Sequence, residues 1–201
     1  MHPNALFRHD DAMALDAHAN AIGFGSIYLT TPDGPRVAHT PLLVGDGSLR
    51  FHLARGNALT RHLAGATALA CVTGPDAYVS ARWYEAPDQV STWNYVAIEY
   101  EGTVERLDEA QLVSLLEDLT AREEDRITSG GIPWTMDKLS EKAMRGLLRG
   151  IVGFRMPVTA RRETVKLARH KVAADLARLA DGVEAEGNAA MAQLMREGLA
   201  A

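Results

Sequence analysis

The first quarter of the chain alternates apolar and polar residues in three short segments separated by turn signals. The segments and turns are residues 23–30, 32–35, 36–44, 45–47 and 49–53. Alternation with a period of two is typical of half-buried strands, and Pro-Asp-Gly-Pro and Gly-Asp-Gly are strong turn sequences. Strands joined by tight turns form an antiparallel meander, which tends to curl into a barrel. Because Pro41 cannot donate to a ladder, it predicts an edge or a bulge in the second strand.

Strands and helices alternate along the rest of the chain. We predict strands at residues 67–73, 77–80, 91–105, 151–159 and 163–168, and helices at 10–20, 108–119, 140–149 and from 171 onward. A bulge is expected near Gly102, and Asp108 with Gln111 forms a capping box ahead of a leucine stripe. Glycines at 182 and 187 are expected to break the tail into short helices. The pattern is that of a mainly β fold with flanking helices (α+β), with a domain over residues 1–170 and a helical extension over 171–201.

The joint that follows the third strand favours an anion site. The apolar spacing becomes helical just after Gly56, so a helix is expected to begin there with Asn57 as its N-cap. The first N–H groups of a helix lack internal partners and favour an anion. Arg55 can bind a phosphate through two parallel hydrogen bonds, and Thr60 and Arg61 lie one turn further on. A capped helix beside a solvated arginine has the same spacing, so both interpretations stay open.

Four large aromatic side chains fall within thirteen residues, at Trp83, Tyr84, Trp93 and Tyr95. One interpretation is a wall for a planar ligand, with Ser80, Thr92 and Asn94 supplying hydrogen bonds at its rim. The other is a barrel core with one surface aromatic. A ligand with a flat ring at one end and a phosphate at the other would be FMN. Pyridoxal phosphate fits less well, because no lysine is placed beside the aromatic residues.

Composition and charge exclude several classes of function. A chain of 201 residues, 47% of them apolar, fits one domain or a domain with an appendage. A net charge of −5 with interspersed signs disfavours direct DNA binding and gives no attraction to an anionic membrane. The single cysteine excludes a disulfide within the chain, and neither a signal peptide nor an apolar stretch of ~20 residues is visible. We therefore expect a soluble cytoplasmic protein without a membrane segment.

Motifs for chemistry carried by the protein itself are not visible. The seven histidines lack the spacing of metal ligands, so no metal site is predicted. The sequence contains no nucleophile elbow, no phosphate-binding Gly-Lys loop and no dinucleotide fingerprint after a strand. We assign no catalytic residue. A protein of this kind often uses the chemistry of a cofactor.

A set of short motifs, in order and in spacing, resembles the PaiB family. The motifs are His39-Thr-Pro-Leu, His52-Leu-Ala-Arg-Gly-Asn57, Tyr78-Val-Ser80, Trp83-Tyr84, Thr92-Trp-Asn-Tyr-Val96, Ile151-Val-Gly-Phe154 and Lys166-Leu167. The resemblance covers nearly the whole chain, including the helical tail. That family belongs to the FMN-binding split barrels, alongside pyridoxamine-phosphate-oxidase-like proteins. The resemblance implies a flavoprotein with a six-stranded antiparallel split β-barrel, forming a homodimer with FMN bound where the subunits meet.

The resemblance also implies a set of cofactor-binding residues. His39 and Thr40 are expected at the edge of the isoalloxazine ring. The phosphate is expected at Arg55, Asn57, Thr60 and Arg61, and further contacts at Ser80, Trp93, Asn94 and Lys166. The family usually continues its Lys-Leu pair with Ser-Gln-Asn, where this chain has Ala-Arg-His at 168–170. The polar contacts of that run are therefore not carried over, although Arg169 adds a charge there.

Members of the PaiB family are described as negative transcriptional regulators of sporulation and degradative-enzyme genes. The resemblance therefore implies a redox-linked or metabolic regulator. Direct DNA contact is not predicted, since no helix-turn-helix with a basic recognition helix is visible. The alternative is an FMN-dependent oxidoreductase acting on a small substrate, with His39 or Tyr84 as proton donor. A third hypothesis, haem binding, is supported only by His170.

Overall fold

The computed structural model describes residues 2–199, which form eight strands and six α-helices. The strands are β1 Phe24–Thr31, β2 Gly34–Gly45, β3 Ser48–Ala54, β4 Thr67–Val79, β5 Thr92–Thr103, β6 Glu105–Arg106, β7 Ile151–Pro157 and β8 Ala160–Lys166. The helices are α1 Ala12–Ile22, α2 Thr60–Leu63, α3 Glu109–Asp125, α4 Glu141–Gly150, α5 Ala173–Ala185 and α6 Ala189–Glu197. Short 3₁₀ turns lie at Ala5–Phe7, Ala81–Trp83 and Met136–Lys138. None of the helices in this described range is long and apolar enough to cross a membrane.

The strands form one antiparallel sheet in the order β6-β7-β3-β2-β1-β4-β5-β8. The prediction of an antiparallel β fold with flanking helices is confirmed, and the meander β1-β2-β3 is present as expected. The number of strands among residues 2–199 is eight rather than six. The two-residue β6 and the strand β8 stand at the two ends of the order, and six strands lie between them.

The chain divides into two compact units. We call residues 23–71 and 100–161 the meander unit. The remainder, up to Ile22, from Val72 to Glu99 and from Arg162 onward, is the terminal unit. The domain boundary expected at residue 170 stays a prediction.

In the meander unit, β2 changes partner part of the way along its length. Pro41 is the last residue in register with β1, opposite Phe24, and Leu42 is the first in register with β3, opposite Phe51. Since β2 lies between two strands, Pro41 is not on an edge strand, and the alternative, a bulge at this position, stays a prediction. The missing N–H falls where the strand passes from one neighbour to the other, which is a position that a proline can occupy.

Helix α3 covers the core of the meander unit. Its predicted capping box is present, with the Asp108 carboxylate accepting from Gln111 N and the Gln111 side chain accepting from Asp108 N. Leu115 on its inner face is completely buried. Arg122 fixes the helix to the strands, since its guanidinium donates to the carbonyl oxygens of Leu42 at 2.6 Å and Gly23 at 3.2 Å. The helix is thus joined to β2 and to the residue that precedes β1.

Two glycines that were expected to interrupt elements of the terminal unit instead allow close packing. Strand β4 runs unbroken through Gly74, where a Cβ would lie 2.7 Å from His18 Nε2. Helix α5 runs unbroken through Gly182, where a Cβ would lie 2.4 Å from Trp83 Cδ2. The predicted breaks at these positions are wrong, because the glycines make room for neighbouring side chains. The break near Gly187 is confirmed, and this residue has a φ of 90° between α5 and α6.

Candidate functional site

The joint between β3 and α2 uses most of its backbone donors internally. Helix α2 is a single turn, and its N-cap is Leu59 rather than Asn57. The N–H groups of Arg55, Asn57 and Thr60 donate to backbone carbonyls, and that of Leu59 donates to Asn57 Oδ1 at 2.9 Å. The expected convergence of unpaired helical N–H groups is therefore wrong for these residues. Carbonyls of the turn, the Asn57 side chain and, for Arg55, the Gly150 carbonyl at the end of α4 satisfy them, so any anion held here depends on side chains.

Arg55 is exposed, and two backbone carbonyls hold its guanidinium. Its Nε donates to the Arg149 carbonyl at 2.7 Å, and its Nη2 donates to the Ile151 carbonyl at 3.1 Å. An arginine has five N–H donors, so three remain for a ligand. The two carbonyls fix the plane of the group in advance, which lowers the entropy lost when a phosphate binds. Arg55 fits the phosphate of FMN.

Three neighbouring side chains fit a phosphate to different degrees. Asn57 uses its carbonyl oxygen within the turn, and its amide N–H groups make no hydrogen bond among the described contacts. Arg61 pairs with Asp33 at 3.4 Å, and both side chains are well exposed, so this ion pair is weak. Thr60 Oγ1 donates its proton to the Ala54 carbonyl at 2.8 Å and stabilises the turn. Arg55, Asn57 and Arg61 thus have donors available to a phosphate, and Thr60 supports the turn that carries them.

His39 and Thr40 lie on opposite faces of β2. His39 is exposed, and its Nδ1 lies 2.9 Å from Ser26 Oγ on β1, directly opposite. Thr40 is buried, and its hydroxyl donates to the His52 carbonyl of β3 at 2.6 Å. Of the two residues expected at the isoalloxazine edge, His39 alone presents its side chain to solvent. Thr40 joins two strands.

Exposed apolar side chains surround His39 on the outer face of β1 and β2. Tyr28 and Val37 are opposite each other in register and are 43% and 42% exposed, and Phe24 is 53% exposed. Side chains two residues apart on a strand share a face, so Phe24, Tyr28, Val37 and His39 form one surface. We call it the β1–β2 face. An exposed apolar surface with a hydrogen-bonded histidine is suited to a flat ring or to a second subunit.

The predicted aromatic wall in the terminal unit is not a single surface. Trp83 packs against Gly182 of α5 and serves the core. Trp93 is half exposed and contacts Tyr78 edge to face, with ring centroids 6.1 Å apart. Tyr84 lies elsewhere, against Lys171. The expectation that all the rings form one wall is wrong, and Trp93 with Tyr78 is the pair available to a planar ligand.

Ser80, Asn94 and Lys166 are also in the terminal unit. Ser80 is buried, caps a 3₁₀ turn and accepts from the backbone N–H of Arg82 at 3.3 Å. Asn94 and Lys166 line one cavity of about 210 Å³. The Lys166 ammonium donates to Thr92 Oγ1 at 2.5 Å, and burial lowers the pKa of Lys166. The structure therefore brings Asn94 and Lys166 together and gives Ser80 a structural role.

The cavity includes residues that the sequence did not single out as ligands. Phe7 comes from the N-terminal segment, Gln89 from the loop after β4, and Lys171 from the segment after β8; Tyr84, a member of the predicted aromatic wall, lines the cavity with them. No local motif connects these positions, so only the folded chain could group them. His170 also borders the cavity, with its ring centroid 5.7 Å from that of Phe7. Burial, followed by the nearby charges of Lys171 and Lys166, lowers the pKa of His170.

Comparisons with known proteins identify the family of this chain. The family described as "Putative FMN-binding domain" matches residues 1–160. The Protease synthase and sporulation protein PAI 2 of Bacillus subtilis (strain 168) is 31% identical over 184 residues, which are 88% of this chain and 87% of that protein. These matches are based on sequence and extend over both units.

Solved structures share the fold. The FAD and heme binding protein from Mycobacterium smegmatis aligns with a TM-score of 0.59 at 20% identity, over 79% of this chain and 72% of that one. A flavocytochrome from Azotobacter vinelandii aligns with a TM-score of 0.60 at 15% identity, over 83% of this chain and 72% of that one. At these identities the likeness concerns the split-barrel fold alone. With the family match and the Bacillus relative, it shows that this chain belongs to the PaiB-type family of FMN-binding split-barrel proteins, whose cofactor is FMN.

Proposed function

We propose that this protein is a dimeric, cytoplasmic FMN-dependent regulator that acts as a redox-linked or metabolic negative regulator of transcription. The observation that carries the proposal is the anchored guanidinium of Arg55, which is exposed and oriented by two carbonyls before any ligand binds. The regulatory part is supported by the name of the Bacillus relative, a sporulation protein. When bound, FMN supplies reversible acceptance of electrons or hydride.

The residues of the chain would bind and orient the cofactor. Arg55, Asn57 and Arg61 would hold the phosphate, because they offer charged and amide donors in one exposed turn. The hydroxyl of Thr60 keeps that turn closed.

Six further residues are proposed from the family resemblance, and they divide by exposure. His39 and Trp93 present exposed rings, Asn94 and Lys166 present donors in a cavity, and Thr40 and Ser80 shape the backbone from buried positions. We expect His39 and Trp93 to affect the affinity for FMN directly, and Asn94 and Lys166 to affect it indirectly, through the shape of their cavity. We expect Thr40 and Ser80 to affect it through stability.

The β1–β2 face is proposed as the dimer contact. Three large apolar side chains are 42–53% exposed on two paired strands, whereas Ile27, Ala38, Leu42 and Val44 of the same strands are buried. Covering such a surface with a second copy removes apolar area from water at ~25 cal/mol per Å². Two copies facing each other through the same patch would form a closed, two-fold symmetric dimer.

The dimer is tested by light scattering coupled to size-exclusion chromatography. Tyr28→Glu is expected to give a monomer, because it places a charge in the middle of the β1–β2 face. Leu147→Glu on α4 is the matched control, since Leu147 is also exposed and apolar but lies away from β1 and β2. If FMN binds where subunits meet, the Tyr28 variant also loses FMN on desalting. A dimer that survives Tyr28→Glu would remove this face as the contact.

FMN binding and regulation are tested in sequence. The absorption spectrum of the purified protein, before and after FMN addition and desalting, should show retained flavin. Transcript profiles are then compared among host cells that lack this protein and cells that express the parent, Arg55→Ala or the control variant Arg145→Ala. If regulation needs FMN, cells with Arg55→Ala should resemble cells that lack the protein, and cells with Arg145→Ala should resemble cells with the parent. Identical profiles in all four would reject regulation.

An FMN-dependent oxidoreductase is the second candidate, and the environment of His39 favours it over a role for Tyr84. His39 is exposed and hydrogen-bonded to Ser26, so it can hold a proton beside a bound ring. Burial, and then the charge of Asp175, raises the pKa of Tyr84, which makes it a weaker acid. Steady oxidation of a reduced nicotinamide with a small acceptor, lost in His39→Ala but not in Tyr84→Phe, would establish the enzyme.

A further inference from the structure

We propose that the cavity of the terminal unit binds a second ligand, a small organic oxyanion with an apolar body. This cavity has a volume of about 210 Å³ and is lined by residues from three separate stretches of the chain, at Phe7, at residues 84–94 and at residues 166–171. A protein cavity of about 150 Å³ accommodates benzene. The space therefore suits one small ring with a charged group.

Positive charge without a carboxylate partner is the first support. Lys166 and Lys171 both line the cavity, and among residues 2–199 neither ammonium forms an ion pair. Lys166 donates to Thr92 Oγ1, and Lys171 donates to Gln89 Oε1 at 3.2 Å, so neutral oxygens orient both groups. Two oriented ammonium groups with donors to spare form a site for an anion.

An unsatisfied buried amide is the second and independent support. Asn94 is 1% exposed, and its Nδ2 has no hydrogen-bond partner among the described residues. A buried donor without an acceptor costs about 1–3 kcal/mol, so such groups are rare in folded proteins. Asn94 lines the same cavity as the two lysines. An oxygen of the ligand would supply the missing acceptor and also meet the ammonium charges.

The remaining lining residues define the rest of the ligand. Phe7, Tyr84 and Val90 provide an apolar surface for a small ring. The one acidic side chain of the lining, Asp88, is exposed, and its charge is outnumbered by the two lysines. His170 adds a neutral or positive ring at the same border. The shared chemistry of the ligand is thus an oxyanion, either a carboxylate or a phosphate ester, attached to an apolar group.

The test measures the binding of three small molecules of similar shape to the FMN-loaded protein by isothermal titration calorimetry. Benzoate and phenyl phosphate carry the two kinds of oxyanion, and benzamide is the neutral counterpart. We expect one or both anions to bind and benzamide to bind at least about tenfold more weakly, because a lost charged hydrogen bond costs roughly one tenfold step or more. The stronger of the two anions identifies the charged group.

Variants locate the site. Lys171→Gln is expected to weaken anion binding about tenfold, because it removes one charged hydrogen bond. Lys142→Gln removes an equal charge from α4, none of whose residues lines the cavity, and should leave anion binding unchanged. The flavin spectrum of each variant shows that it is folded and loaded. The NMR signal of the Asn94 side-chain amide is assigned by its loss in Asn94→Ser. In the parent protein this signal should shift when the anion is added.

Four results would overturn the proposal. They are no binding of either anion, equal binding of benzamide, equal affinity in Lys171→Gln and the parent, and release of FMN by the anion. The last result would assign the cavity to the cofactor itself. FMN retention is followed separately by the absorbance of the flavin. Failure of the protein to bind FMN is therefore distinguished from failure of the cavity to bind an anion.

Discussion

Replacing Arg55 by alanine tests the phosphate assignment most directly. The guanidinium already donates to two backbone carbonyls, and its three remaining donors can give a phosphate two parallel bonds. Hydrogen bonds to charged groups contribute about 1.5–3 kcal/mol. Since each 1.4 kcal/mol is about a factor of ten, Arg55→Ala should raise the Kd for FMN by roughly 10- to 150-fold.

The structure also predicts the behaviour of a conservative variant. Arg55→Lys keeps the charge, but one ammonium cannot replace a planar fork that contacts the Arg149 and Ile151 carbonyls and a phosphate together. We expect its Kd to lie between those of the parent and the alanine variant. Loss of the two exposed carbonyl contacts should lower the free energy of unfolding of the FMN-free protein by only about 1 kcal/mol. The alanine variant should therefore remain folded.

Quenching of FMN fluorescence on titration with FMN-free protein measures these affinities. Arg145→Ala is the matched control, because Arg145 is an exposed arginine of α4 whose ion pair with Glu141 is on the surface. Urea unfolding of each variant separates stability from binding. Equal FMN affinity in Arg55→Ala and Arg145→Ala would refute the assignment and return Arg55 to a structural role at the joint.

Three further predictions concern stability. Gly102→Ala should lower the free energy of unfolding in urea by about 2–3 kcal/mol, since its Cβ would lie 1.9 Å from the Pro157 carbonyl oxygen; the control Gly146→Ala, with open space inside α4, should raise it by about 0.5–1 kcal/mol. Ala168→Gly should raise the Tm, because Ala168 has a φ of 59°, a conformation that costs a non-glycine residue about 1–2 kcal/mol. An unchanged Tm would argue against backbone strain at this residue. Burial lowers the pKa of His52 from 6.5, so the unfolded chain takes up its proton first and stability should fall as the pH drops through 6.5. His52→Gln should flatten that slope in urea unfolding at successive pH values, and an unaltered slope would contradict this account.

Local patterns were sufficient to predict most strands and helices. The meander, the capping box at Asp108 and the helix after Ser140 depend on residues close together in sequence, and all three are present. The fold class followed from the family resemblance, and the structure agrees with it.

Glycine was the main source of error, because its two uses look alike in a sequence. The sequence predicts breaks at Gly74 and Gly182, yet both lie inside regular elements, where a side chain would collide with His18 and Trp83, respectively. Gly102 lies inside β5 against the Pro157 carbonyl, and the bulge expected near it stays a prediction. Those partners are distant in sequence, so the reason for each glycine is visible only after folding.

The candidate site could be predicted as a set of residues but not as an arrangement. Arg55 and Asn57 were found from a local motif, yet the carbonyls that hold Arg55 come from the segment around Gly150. The exposure of His39 is consistent with the apolar–polar alternation of β2, and the register of β1 and β2 places His39 opposite Ser26. The cavity near Asn94 combines three distant stretches of the chain, and no sequence pattern connects them.

The anchoring of Arg55 has a consequence for the order in which the protein assembles. The hairpins of β1, β2 and β3 close over short loops, whereas β3 meets β7 only through pairs such as His52 with Gly153. Contacts between distant residues form late, since a long loop must be closed first. The Arg149 and Ile151 carbonyls therefore reach Arg55 only when β7 docks, after the meander has formed. Tight retention of FMN would then report completed folding of the meander unit, and during synthesis the cofactor could be captured only after residue 151 has left the ribosome.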